Sequence, residues 1–269
     1  MVVRQNLIRY TKYFDVQLGM EIFKDRIFAE TKERLNNKGI EAILFDFDDT
    51  LIFTSEIFTK YMNEYITKVS DETGIEYKAI NESLRRNNDE EYKKSGVNPH
   101  RWVDVVDKMT REFVGHENAI INNLDLLMKI YTEEPRIRPG ARAVLYTLQT
   151  SGTKIGLVTH ANTDWTWRKL NFSGMINYFD SILIADENGH KETTHWQSMM
   201  SDLGVIPEKC LVVGDSINSD IIPASKLGAK TMWVQNGSSW SVYRTGNVPD
   251  NTVVIDDIKD LLSAIDRLR

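Results

Sequence analysis

The stretch Ala42-Ile43-Leu44-Phe45-Asp46-Phe47-Asp48-Asp49-Thr50 constrains this chain more than any other. Four apolar residues bounded by acid are too few for a helix and read as a buried strand of a parallel sheet, which delivers Asp46 to its carboxyl end. Open α/β sheets bind ligands at that edge. Asp46, Asp48 and Asp49 would repel one another in a partly dry crevice, so the stretch requires either a neutralising cation or exposure to water. Taken alone it leaves both open, because aspartate is also a common turn residue.

The pattern on either side sets the architecture. After Thr54 and Ser55, either of which can cap a helix, Ile57, Phe58, Tyr61, Met62, Tyr65, Ile66 and Val69 recur at helical spacing until Gly74. Further helical patterns lie around Tyr77–Leu84, Trp102–Val114 and Asn118–Tyr131, and no strand pattern appears between Thr54 and Glu134. Asn98-Pro99-His100-Arg101-Trp102 reads as a stiff loop between two of them. Pro135 and Pro139-Gly140 mark the return. Strands at Lys154–Val158, Ser181–Ala185, Cys210–Val213, Thr231–Val234 and Val253–Ile255 then alternate with helices, the last from about Ile258 to Leu268. This predicts an α/β fold, a doubly wound and mainly parallel Rossmann-like sheet built by residues 41–54 and 135–269, interrupted by an all-helical module at 55–134. Residues 1–40 form a helical extension, with a helix over Met20–Asn37 carrying Ile22, Phe23, Ile27 and Leu35, behind an aromatic lead-in at Tyr10, Tyr13 and Phe14. That helix either packs on the main domain or makes a dimer contact.

Composition excludes several classes. A net charge of −6 argues against a nucleic-acid partner, which needs clustered basic residues in excess. Cys210 is the single cysteine, so neither an intrachain disulfide nor a thiolate metal cluster can form. No run approaches the ~18 apolar residues of a membrane span, and Met1–Phe14 has no signal-like apolar core. The expectation is a cytoplasmic protein with no membrane partner, its oligomeric state unspecified.

The strand ends carry the chemistry. Asp46 and Asp48, Thr159, and Asp215 with Asp220 are far apart in sequence, yet parallel strands bring their carboxyl ends to one edge. Carboxylates select hard cations, and one or two of them with water and substrate oxygens is the usual cradle of Mg²⁺. A hydroxyl at a strand end, followed by a backbone N–H that opens a helix, suits a phosphate oxygen. Lys191 would add positive charge. The set describes phosphoryl transfer, with an aspartate nucleophile, a cation, and a second aspartate that moves a proton.

Asp46-Phe47-Asp48-Asp49-Thr50 resembles the Asp-x-Asp-x-Thr motif of the haloacid dehalogenase-like hydrolases. The likeness continues through Arg138-Pro139-Gly140, the strand ending at Thr159, Phe179-Asp180-Ser181-Ile182 with Lys191, and Gly214-Asp215-Ser216 with Asp220, over residues 41–260. The resemblance implies that Asp46 forms an aspartyl-phosphate, and that Asp48 protonates the leaving group, activates water and offers its backbone carbonyl to Mg²⁺. Thr159 and the His160 N–H would bind phosphate, Lys191 would hold Asp46 and the phosphoryl group, and Asp215 and Asp220 would complete the metal site. The helical module would be a mobile cap that restricts entry to a small phosphorylated metabolite. Its own stiff loop at Pro99 leaves two readings: His100 and Arg101 reach the leaving group, or Trp102 anchors the following helix and the other two are solvated. Asp49 stands where the family often has Gly, His160 where it often has Asn, and Glu192-Thr193-Thr194-His195 where Pro-x-Pro usually follows the lysine. The last departure leaves Lys154 and Lys169 as alternatives to Lys191. Asp48 speaks against halide removal, which needs no proton donor. A phosphomutase, or a non-catalytic binding protein on the same fold, are the competing readings.

Overall fold

The computed structural model describes residues 25–235 and 246–269. Six parallel strands form one sheet: β1 (Ala42–Phe45), β2 (Lys154–Thr159), β3 (Ser181–Ile184), β4 (Cys210–Gly214), β5 (Lys230–Val234) and β6 (Val253–Ile255). Their spatial order is β3-β2-β1-β4-β5-β6, so β1 sits at the centre and the winding direction reverses between it and β4. Such a switch point opens a crevice beyond the strand ends. Along β1 the alternation is fully used. Ile43 and Phe45 enter one buried layer, with Leu145, Leu211 and Val213, while Ala42 and Leu44 enter the other, with Val158, Trp196, Met199 and Val212. A strand covered on both faces has no polar side, which is why these residues read as an unbroken apolar run.

The helix over residues 25–37, α1, packs on the core: Leu35 is buried, Phe28 meets Tyr146 edge-on at 5.7 Å, and the Lys38 ammonium donates to the Leu268 carbonyl at 2.6 Å. The expected lead-in at Tyr10, Tyr13 and Phe14, with Ile22 and Phe23, lies outside the described residues. Between β1 and β2 the chain is helical: α2 (Ser55–Thr73), α3 (Tyr77–Ser95), α4 (Arg101–Glu112), α5 (Glu117–Asn122) and α6 (Leu124–Met128). These helices build their own apolar cluster around Tyr65, Ile66, Leu84, Trp102 and Met109. The chain enters and leaves this cap side by side, where Phe53 N–H donates to the Arg136 carbonyl at 2.8 Å and Arg138 N–H to the Leu51 carbonyl at 3.0 Å. The remaining helices, α7 (Ala141–Thr150), α8 (Thr163–Ser173), α9 (Thr193–Asp202), α10 (Ile222–Lys226) and α11 (Leu261–Ala264), flank the sheet.

Several local expectations change. The segment read as one helix over Asn118–Tyr131 breaks at Asn123, whose side-chain amide donates to the Ala119 carbonyl at 2.7 Å, a local bond that competes with the helical ladder. The final helix is one α-helical turn between two 3₁₀ turns. Arg101 and Trp102 open α4 rather than standing in a loop. Neither the Thr54 nor the Ser55 hydroxyl caps α2; the Asp49 carboxylate does, accepting from the N–H of Thr54 (3.1 Å) and of Ser55 (2.9 Å) and from the Ser55 hydroxyl (2.8 Å). Asp49 does so from a left-handed backbone, φ 61°, where glycine would be unstrained. The position therefore trades strain for a cap. Asp49→Ala should lose both the cap and tolerance of this φ, lowering stability by about 1–2 kcal/mol. Asp49→Gly should lose less, and urea titration of the two variants will show whether that order holds.

Candidate active site

β1 hands Asp46 to the crevice without a break in its ladder, since the Asp46 N–H donates to the Val213 carbonyl at 2.9 Å. Both oxygens of its buried carboxylate are held. Oδ1 pairs with the Lys191 ammonium at 2.6 Å and Oδ2 accepts from the Thr50 hydroxyl at 2.9 Å. Lys191 Nζ lies equally close to Asp220 Oδ1, 2.6 Å, and donates to the Val158 carbonyl at 3.2 Å. Asp46, Asp215 and Asp220, all buried, offer oxygens within 4.8 Å of one another. A Cβ on Gly214 would meet the Asp220 carboxylate at 2.2 Å, so only glycine lets Asp220 fold back on the strand end. Among the described residues this is the cluster able to hold a metal ion. It contains three of the four predicted ligands. The Asp48 side chain stands apart, and its expected contribution was the backbone carbonyl.

Burial drives the electrostatics. Desolvation pushes the Asp46 carboxyl up to about 7, helped by the charges of Asp220 and Asp48 and opposed by Lys191. Burial also works against the Lys191 ammonium, yet Asp220 and Asp46 hold its pKa above the usual lysine value. His160 is pushed down to about 4 by burial and by Lys191, which leaves it neutral near pH 7.

The loop after Lys191 has a definite form in place of Pro-x-Pro. Glu192 caps α9: its side chain accepts from the His195 N–H, and its own N–H donates to His195 Nδ1 at 3.0 Å, a reciprocal capping box. Lys154 opens β2, at the opposite edge of the sheet, and donates to the Leu203 carbonyl at 2.6 Å. Lys169 is inside the site, but on Asp48: its ammonium is 2.5 Å from Oδ1. Asp48 Oδ1 also accepts from the Thr54 hydroxyl, while Oδ2 lies 3.5 Å from the Thr159 hydroxyl. Thr159 ends β2 fully buried beside Asp48 and is not among the residues that line the crevice. His160 lines the crevice with its Nε2 buried and, among the described residues, unpartnered.

The crevice encloses about 180 Å³ between the sheet edge and the cap, well under the ~300 Å³ at which drug-sized ligand pockets begin. Asp46, Asp48, Lys191 and Asp215 form its floor, and Phe58, Asn88, Asp89, Tyr92, Val97 and Arg101 contribute from the cap. The pair expected to reach the leaving group separates. His100 is exposed and does not line the crevice, whereas Arg101 is buried and does. Arg101 Nε donates to Asn88 Oδ1 at 3.2 Å, and Nη1, among the described residues, has no partner. Trp102 is a core anchor whose indole donates to the Tyr131 hydroxyl at 3.1 Å. Asn88 and Tyr92 were not anticipated, although α3 carries a signal: its buried stripe, apolar at Ile80 and Leu84, turns polar at Asn87, Asn88 and Glu91.

A family model described as haloacid dehalogenase-like hydrolase matches residues 43–234. The chain belongs to that family. It is 26% identical over 235 residues to the glyceraldehyde 3-phosphate phosphatase of Methanothermobacter thermautotrophicus, covering 82% of this chain and 98% of the relative. It is 29% identical over 136 residues to the phosphoglycolate phosphatase of Nitrosococcus oceani, covering 49% and 60%. The fold is that of a haloacid dehalogenase-like hydrolase of Xanthomonas campestris, with TM-score 0.67 and 15% identity over 84% of this chain and 91% of the other. No helix among the described residues is long and apolar enough to cross a membrane.

Lys191→Met leaves Asp46 and Asp220 as unpaired buried carboxylates, a change that typically lowers stability by about 3–5 kcal/mol. Urea denaturation in chelator should show it. The raised Asp46 pKa has a sign of its own. The folded state binds the extra proton between the ordinary carboxylate range and pH 7, so Asp46 favours folding at low pH, and that contribution is lost as pH rises through about 7. In metal-free buffer Asp46→Asn should flatten this fall between about pH 4 and about pH 7.

Proposed function

We propose that the chain is a Mg²⁺-dependent phosphomonoester hydrolase that works on a small phosphorylated metabolite through an aspartyl-phosphate at Asp46. The observation that carries this reading is the Asp46 carboxylate itself, oriented by Lys191 and Thr50 beside Asp215 and Asp220 at the floor of a small covered crevice. An Asp46 oxygen attacks phosphorus as the bond to the leaving oxygen breaks, and Asp48 gives that oxygen a proton. Asp48 then takes a proton from the water that attacks the phosphoryl group, and the bond to Asp46 breaks. Thr159 and the His160 N–H bind phosphate oxygens, and Lys191 balances charge on Asp46 and the phosphoryl group. The all-oxygen donor set of Asp46, Asp215, Asp220 and the Asp48 carbonyl fits Mg²⁺, which would neutralise the charge that otherwise keeps an anionic nucleophile from a phosphate dianion. We take the two hydrogen-bonded connecting segments, Leu51–Phe53 and Arg136–Arg138, as the boundary across which the cap moves.

The named relatives act on short phosphorylated compounds, which supports a substrate of three or so carbons and hydrolysis over mutase chemistry. Arg101, whose Nη1 has no partner among the described residues, is the cap residue that would donate to a carbonyl or carboxylate oxygen of the leaving group. A screen with glyceraldehyde 3-phosphate, phosphoglycolate and p-nitrophenyl phosphate should show Mg²⁺-dependent phosphate release that EDTA abolishes. Asp46→Asn should remove turnover while preserving the fold, and absence of phosphate release from every ester would overturn the hydrolase reading. Arg101→Ala should lower kcat/KM for the preferred metabolite by about 10²-fold, the scale of a charged hydrogen bond, and spare p-nitrophenyl phosphate.

A further inference from the structure

Lys169 is a buried ammonium that the roles above leave unused. It sits on α8 one turn beyond Trp165, on the inward stripe Trp165, Thr166, Lys169, Leu170 and Ser173. Its side chain is 1% exposed against 20% for Asp48, so what solvent access the pair has lies on the carboxylate's side. The ammonium lies 4.1 Å from the centroid of the Trp165 ring and 5.6 Å from that of Phe47, and among the described residues its one ion pair is with Asp48 Oδ1 at 2.5 Å. A lysine ammonium is compact and strongly hydrated, and burying it is unfavourable unless a partner repays the lost water. An apolar residue would serve packing alone at that position.

The contacts on Asp48 are unequal. Lys169 and the Thr54 hydroxyl both bind Oδ1, whereas among the described residues Oδ2 has only the Thr159 hydroxyl at 3.5 Å, long for a hydrogen bond. We propose that Lys169 is a positioning residue: with Thr54 it pins Oδ1 of Asp48, and so assigns Oδ2 as the oxygen that gives a proton to the leaving oxygen and recovers it from water. The inference rests on Asp48 being the acid and base. Proton delivery matters in proportion to the basicity of the leaving oxygen, so loss of the pinning contact penalises an alkyl phosphate far more than an aryl phosphate with a stable phenolate.

The test compares Lys169→Met, which keeps the length of the stem without its charge, with Lys169→Arg, Thr54→Val and Asp48→Asn. Each is assayed with Mg²⁺ on glycerol 3-phosphate and p-nitrophenyl phosphate, after circular dichroism and melting show which are folded. Lys169→Met should lose about 10²-fold or more in kcat on glycerol 3-phosphate, within the range ascribed to a positioned proton donor. Its KM should hold within about threefold, and its loss on p-nitrophenyl phosphate should be several-fold at most. Lys169→Arg should recover much of the alkyl rate. Thr54→Val should show the same substrate bias more weakly, and it keeps the proposal testable if Lys169→Met does not fold. Equal losses on both substrates, or none, would overturn the assignment while leaving Asp48 in its role, provided Asp48→Asn shows the bias. If Asp48→Asn shows no bias, or the wild type hydrolyses neither ester, the acid-base reading of Asp48 fails and this inference with it.

Discussion

The arrangement at the sheet edge depends on one buried ammonium set among carboxylates. Asp46, Asp215 and Asp220 hold oxygens within 4.8 Å of one another. At that separation two unit charges repel by about 3 kcal/mol at an effective dielectric of about 20. Lys191 touches two of the three at 2.6 Å and offsets part of that repulsion. Burial, with the neighbouring charges of Asp220 and Asp48 added to it, outweighs what Lys191 gives back, and the Asp46 carboxyl is pushed up. A site with this balance is poised for more positive charge. The local structure serves the same end: Gly214 lets Asp220 fold back, Thr50 holds the second oxygen of Asp46, and the Glu192–His195 box fixes the start of α9 directly after Lys191.

A second lysine keeps the Asp46 and Asp48 carboxylates distinct. Asp46 and Asp48 are two residues apart on one loop, yet their carboxylates meet different ammonium groups from different helical connections, Lys191 before α9 and Lys169 within α8. With both oxygens of Asp46 engaged and only one of Asp48 strongly held, the geometry separates a fixed carboxylate from one with an oxygen to spare. One shared cation would have tied the two groups together.

Much of this was legible in the residues, and what was not has identifiable physical causes. The apolar run Ala42–Phe45 specified a strand buried on both faces, and the recurrence of such runs specified the parallel sheet. The sequence also placed Asp46, Thr159, Lys191, Asp215 and Asp220 at one edge, because parallel strands share a direction. Helix ends were less readable: hydroxyls at Thr54 and Ser55 are good caps by type, but the Asp49 carboxylate reaches the same N–H groups from a loop whose left-handed turn no pattern reveals. Cap residues were the least readable. Whether a polar residue on a helix is solvated or faces a crevice depends on how the module docks, so His100 and Arg101, adjacent in sequence, have opposite fates. The sequence offers Lys169 only as a substitute for Lys191; its pairing with Asp48 was not legible, although a charge on the buried stripe of α8 four residues after Trp165 has no packing reason to be there.

The cap and the lysine loop are joined by backbone. The N–H groups of Val97 and Asn98 donate to the Glu187 carbonyl at 2.8 and 3.2 Å, and the Asn98 amide reaches Asn188 Oδ1 at 2.7 Å. Gly96, at φ 56°, permits the approach, since a Cβ there would stand 2.4 Å from the Glu187 carbonyl oxygen and 2.5 Å from that of Gly189. The Glu187 carboxylate meanwhile accepts from Asn162, the residue that caps α8, at 2.7 Å. The short segment from Glu187 to Lys191 therefore has the cap tip at one end, the counter-charge of Asp46 at the other, and a tether to the helix that carries Lys169. Any opening of the cap that breaks the Val97 and Asn98 bonds releases one end of that segment, whereas the Lys191 pair at 2.6 Å holds the other end on the sheet. In this arrangement the cap delivers Arg101 to the crevice, and its tip braces the loop on which the charge balance at Asp46 depends.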